Sequence, residues 1–157
     1  MFSYYLLAAV IVLVDQLTKY LTVQNIELHD IIPVVPDMFS LTYIQNTGAA
    51  WSILEGRMIF FYVVTVIVVA GIIYNLHKYG HESKLFAVSL AFVLGGALGN
   101  FIDRLAHQYV IDMIRLEFID FPIFNIADAA LTVGVLLMIV YIFFFEEEKT
   151  QKQPKKD

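Results

Sequence analysis

Four long apolar stretches dominate the sequence, at about residues 2–23, 58–76, 85–102 and 127–145. A helix rises about 1.5 Å per residue and the hydrocarbon core of a bilayer is about 30 Å thick, so roughly 20 apolar residues suffice to cross it. In lipid every backbone polar group needs an internal partner, which restricts open-ended spans of this length to helices. Composition agrees, because 59% of the 157 residues are hydrophobic and 16% charged, where a water-soluble domain carries about 25% charged residues. The expected fold class is an all-α integral membrane protein with four transmembrane helices. One four-helix domain is expected over residues 1–146, with residues 147–157 as a disordered cytoplasmic tail.

The same composition excludes several function classes. A formal net charge of −5 leaves no basic surface for nucleic acid. The absence of cysteine removes disulfides, thiolate nucleophiles and cysteine-based metal sites. No G-x-S-x-G, HExxH, Walker A or GxGxxG pattern occurs. His77 and His81 are four apart, but they lie in a short lysine-bearing loop, and His29 and His107 are isolated, so no metal and no cofactor is expected. The first stretch lacks the basic start and small-residue end of a cleaved signal and reads as a retained helix.

Lysine and arginine in the short loops set the expected orientation. Lys78 and Lys84 lie between the second and third stretches, and the tail carries Lys149, Lys152, Lys155 and Lys156. Residues 24–57 hold Arg57 against Glu27, Asp30, Asp37 and Glu55. Both termini are therefore expected in the cytoplasm and both long connections outside. In the first of these, Phe39-Ser-Leu-Thr-Tyr alternates as a strand on an interface does, after an irregular lead-in at Pro33 and Pro36. It ends in a turn at Asn46-Thr47-Gly48, with Trp51 placed as an interfacial aromatic. A small extracytoplasmic β platform and a second extracytoplasmic connection, about 103–126, complete the layout.

Ionisable groups at membrane depth are costly and mark functional candidates. Asp15, Thr18 and Lys19 share one helix face, for which an intrahelical ion pair is the simplest reading. Gly95 and Gly99 form a small-xxx-small pair suited to helix packing. Asn100, Asp103 and Arg104 share the outer end of the same helix, where a structural and a substrate-orienting cluster fit equally well. Asp112 stands among apolar neighbours. Asn125 and Asp128 open the fourth helix, where capping explains one of them but not both plus Asp112. Two carboxylates brought together at a membrane surface can share one proton and activate water. On these residues alone an ion path through Asp15, Lys19, Asp103 and Arg104, or a scaffold, stays open beside an enzyme.

The motifs Asp15-Gln-Leu-Thr-Lys19, Gln45-Asn-Thr-Gly-Ala-Ala-Trp51, Gly95-Gly-Ala-Leu-Gly-Asn-Phe-Ile-Asp-Arg104, Val110-Ile-Asp112 and Phe121-Pro-Ile-Phe-Asn-Ile-Ala-Asp128 resemble, in order, those of the lipoprotein signal peptidase (signal peptidase II) family. The resemblance spans nearly the whole chain. It implies a bacterial integral-membrane aspartic endopeptidase, in the cell membrane, that removes the signal peptide of prolipoproteins before a diacylglyceryl-modified cysteine. It implies Asp112 and Asp128 as the catalytic pair, and Asn46, Gly48, Asn100, Arg104 and Asn125 as substrate-binding. Asp15, Lys19 and Asp103 are implied as supporting residues. The partners so implied are the lipidated prolipoprotein and membrane lipid, and a monomer is expected since one unit holds every motif. Met113 departs from the aromatic common at that position in the family, and Glu117 and Asp120 make the loop between the aspartates acidic. Which aspartate carries the proton is left open.

Overall fold

The computed structural model describes residues 1–48 and 53–146; Trp51 and the tail from 147 lie outside the described residues. The apolar stretches form α1 (Phe2–Asn25), α2 (Met58–Tyr79), α3 (Lys84–His107) and α4 (Ile126–Tyr141), the last continued by a π-helical turn at Ile142–Glu146. All four are long and apolar enough to cross a membrane, and the chain is a multi-pass membrane protein. Large apolar side chains such as Leu6, Leu13, Val66, Ile67 and Leu136 stay exposed along them. That is the surface a bilayer solvates.

α3 is the central helix, packed against α1, α2 and α4. Its small residues permit this. A Cβ added at Gly95 would fall 2.8 Å from Ile11 Cβ, and one at Gly134 of α4 would fall 2.7 Å from Val93 Cγ2. Without these glycines the helices could not approach so closely. An apolar core of Ala8, Ile72, Leu76, Ala87, Leu90 and Leu94 fills the end of the bundle where α1 begins.

α3 also outruns its apolar stretch. The stretch ends at about residue 102, yet the helix runs on to His107. Asp103 and Arg104 lie in its last turns with Asn100, on the shared outer end that their spacing indicates. Hydropathy falls there because the helix turns polar residues inward onto partners, not because it ends. It ends at Gln108, whose left-handed φ of 64° lets its N–H bond the Arg104 carbonyl.

The two long connections meet in one antiparallel sheet of β1 (Ile31–Val35), β2 (Phe39–Asn46) and β3 (Val110–Leu116), in that order. β1 bears Pro33 at an edge, with a register shift before Val35, as a missing N–H requires. β3 was not expected, and through it the second connection joins the platform. On β2 the expected alternation is altered. Ser40 and Thr42 are buried with Tyr43, while Phe39 and Leu41 are half-buried. An irregularity in the pairing with β3 between Leu41 and Ile44 re-aims the strand. Tyr43 then joins Ile26, Ile111 and Met113 in a second core between the sheet and the end of α1. Met113 is thus a packing residue, and an unbranched thioether fills such a gap readily.

Candidate active site

β3 brings Asp112 to the junction of sheet and bundle. Asn46, the last residue of β2, pairs with Val110. Side chains two apart on a strand share a face, so Asn46 and Asp112 are diagonal neighbours. Asn46 Nδ2 donates to Asp112 Oδ2 at 2.9 Å, while its Oδ1 accepts from Gly48 N–H at 2.9 Å. The expected turn therefore also fixes the amide so that its NH2 faces the carboxylate.

α4 begins with a reciprocal cap. Asn125 Oδ1 accepts from Asp128 N–H at 2.9 Å, and Asp128 Oδ2 accepts from Asn125 N–H at 3.2 Å. The expectation that capping explains only one of these residues is corrected: both cap. The remaining atoms point elsewhere. Asn125 Nδ2 lies 2.7 Å from Asp112 Oδ1 and 3.1 Å from Asn100 Oδ1. Asn100 Nδ2, from α3, donates to Asp128 Oδ1 at 2.7 Å. Asn100 and Asn125 thus link the two carboxylates into one network. Asn125 is fully buried beneath these contacts.

The α1 ion pair is present, with Lys19 Nζ 2.9 Å from Asp15 Oδ2, and the same ammonium lies 2.9 Å from Asp103 Oδ2. The second contact, between helices, was not foreseen. Arg104 donates from Nη2 to the Gly48 carbonyl at 3.2 Å and lies 4.4 Å from the Phe61 ring centre. Its Nε is buried with no hydrogen-bond partner among the described residues.

A cavity of about 530 Å³ opens over the pair, lined on its polar side by Asn46, Gly48, Asn100, Arg104, Asp112 and Asp128. Phe121, Pro122, Ile123, Leu131 and Val133 form an apolar wall that sequence reasoning did not single out. Only the position of these residues around α4 reveals it. Burial, and next the facing Asp128 carboxylate, push the Asp112 carboxyl up to about 7, against the Asn46 and Asn125 amides. Among the described residues no three His, Asp or Glu side chains converge as metal ligands. What the arrangement offers is a coupled carboxyl pair, fixed by amides, in a largely apolar cleft.

Residues 7–144 match the family described as signal peptidase (SPase) II. The chain belongs to the signal peptidase II family. It is 53% identical over 150 residues to the lipoprotein signal peptidase of Listeria monocytogenes serotype 4a, covering 94% of this chain and 97% of that protein. Its identity to the lipoprotein signal peptidase of Enterococcus faecalis is 52% over 152 residues, covering 97% and 93%. A bacterial membrane enzyme solved by the in meso method at 2.3 Å superposes with a TM-score of 0.90 at 36% identity, covering 100% of this chain and 95% of the other. As a signal peptidase II, the chain is a bacterial membrane peptidase.

Proposed function

We propose that Asp112 and Asp128 are the pair with which this signal peptidase II cleaves the signal peptide from bacterial prolipoproteins, before a diacylglyceryl-modified cysteine. The observation that carries the reading is the network Asp112–Asn125–Asn100–Asp128, with contacts of 2.7, 3.1 and 2.7 Å. It holds two carboxyls from different elements at one cavity. Asp112 carries the shared proton near neutrality, consistent with its value of about 7. Asp128 takes a proton from water as that water attacks the scissile carbonyl. The Asp112 proton stabilises the developing oxyanion and then helps the amine leave. The Nε of Arg104, without a hydrogen-bond partner among the described residues, offers a donor to a substrate carbonyl, and the apolar wall suits a lipidated residue.

The basic residues support an orientation with both termini in the cytoplasm and the sheet outside, and one domain holding every motif acts as a monomer. Because the chain has no native cysteine, single cysteines at Ser83 and at Asp37 report sidedness directly. A membrane-impermeant thiol reagent on intact cells labels the Asp37→Cys variant only; labelling at Ser83→Cys inverts the orientation.

The deciding assay offers purified protein a diacylglyceryl-modified prolipoprotein and its unlipidated form. Cleavage is expected for the lipidated form alone and is lost in Asp112→Asn and Asp128→Asn. Substantial turnover by either variant, while folded, removes that residue from the pair.

A further inference from the structure

Resting on the catalytic pair proposed above, we infer that Asp15, Lys19 and Asp103 act as a three-point clamp that sets the spacing of the two aspartates. Asp15 Oδ1 accepts the Ala127 N–H at 2.9 Å, and Asp103 Oδ2 accepts the Ile111 N–H at 3.0 Å. Ala127 immediately precedes Asp128, and Ile111 immediately precedes Asp112. Each carboxylate of the clamp therefore holds the backbone one residue upstream of one catalytic aspartate. Lys19 ties the two carboxylates together, with Nζ 2.9 Å from each. Its third hydrogen goes to Asn100 Oδ1 at 3.0 Å. An ammonium only donates, so Asn100 must present its oxygen to Lys19 and its NH2 to Asp128. Gln16 adds a second strap, from Nε2 to Asp103 Oδ1 at 2.8 Å and to the Gly99 carbonyl at 3.1 Å.

Stability alone does not explain this construction. Asp15, Lys19 and Asp103 are 0%, 1% and 2% exposed, and a buried ion cluster is often matched or surpassed in stability by apolar residues of the same volume. What apolar residues could not do is hold two backbone amides, on β3 and α4, at a fixed distance. A misplacement of about 1 Å can cost a factor of about 100 in rate, so such a device acts on turnover. Lys19 is a positioning residue, acting through Asp15, Asp103 and Asn100.

The test is the near-isosteric triple variant Lys19→Met, Asp15→Asn, Asp103→Asn, which leaves the trio uncharged and keeps an oxygen for each backbone amide. It removes the Lys19 tie, with its bond to Asn100, and the Gln16 bond to Asp103 Oδ1. Unfolding temperature, kcat and KM on lipidated prolipoprotein, and affinity for a hydroxyl-bearing transition-state peptide are measured beside Asp112→Asn and Asp128→Asn. The folded triple variant is expected to keep KM within about twofold, while kcat and affinity for the transition-state mimic fall together by about 10–100-fold. Wild-type kcat in that variant overturns the clamp. If the triple variant does not fold, Gln16→Met decides: the clamp requires lower kcat per folded site at constant KM, and an unchanged kcat rejects it. Turnover by the Asp112 or Asp128 variants would instead overturn the catalytic pair itself.

Discussion

Asp112→Asn removes the proposed chemistry, yet it should stabilise the fold at alkaline pH. The wild-type carboxyl is 2% exposed and ionises in the folded protein at about 7, against about 3.9 in an unfolded chain. Between those values the folded state binds the extra proton. Stability from this group is therefore fully present below about pH 4 and is lost as pH rises through about 7. Above pH 7 the buried charge costs roughly 4 kcal/mol relative to the protonated form. Asparagine carries no charge, but its NH2 must face one of the Asn46 or Asn125 amides that now donate to Asp112. That mismatch costs about 1–2 kcal/mol. The balance is roughly 2 kcal/mol in favour of the variant at pH 8–9, close to zero near pH 5, and about 1–2 kcal/mol against it at pH 4 and below. For a chain of this length 1 kcal/mol moves Tm by about 2–4 °C. Thermal unfolding of wild type and variant in one detergent, from pH 4 to 9, should show the two curves crossing near pH 5. A Tm difference that stays constant across this range would refute the reasoning, whatever its sign.

Gly99→Ala would place a Cβ 2.6 Å from Asp15 Oδ2 and 3.1 Å from the Ala127 Cβ. It should cost about 1–3 kcal/mol, read as a lowered Tm, whereas Gly71→Ala, with nothing within 4 Å of its added Cβ, should gain about 0.5–1 kcal/mol; equal Tm values for the two variants contradict this packing. Asn46→Ala deletes a donor that holds the Asp112 value down. The alkaline limb of kcat/KM, set by loss of the Asp112 proton, should move up by about one pH unit for a lost charge-assisted bond; an unmoved limb separates Asp112 from it.

The helices were legible because lipid imposes a length and composition that hydropathy reads directly, and the Asp15–Lys19 pair because four residues make one turn. The turn at Asn46 was legible for the same local reason. The sheet was only half so: Val110–Leu116 is short, mixed in polarity and paired with residues far earlier in the chain. No local pattern carries that register. The site was least legible, since Asp15 meets Ala127 and Asn46 meets Asp112 across the fold. Spacing could group Asn100 with Asp103 and Arg104, but choosing Asp112 and Asp128 over Asp15 and Asp103 depended on the family resemblance. The double role of Asn125 and Asp128 shows why. Capping and site-building use different atoms of the same side chains, and a sequence does not resolve atoms.

The apolar wall beside the pair includes Val133, which is 41% exposed on the membrane-spanning part of α4. A substrate reaching the cavity across that wall arrives by diffusion within a two-dimensional film. The quantity that governs its encounter with the enzyme is then its fraction among the lipids or detergent molecules, not its amount per litre. Adding empty micelles at constant total substrate would slow such a reaction as an inhibitor does, and two laboratories using different detergent concentrations would obtain different KM values from identical protein.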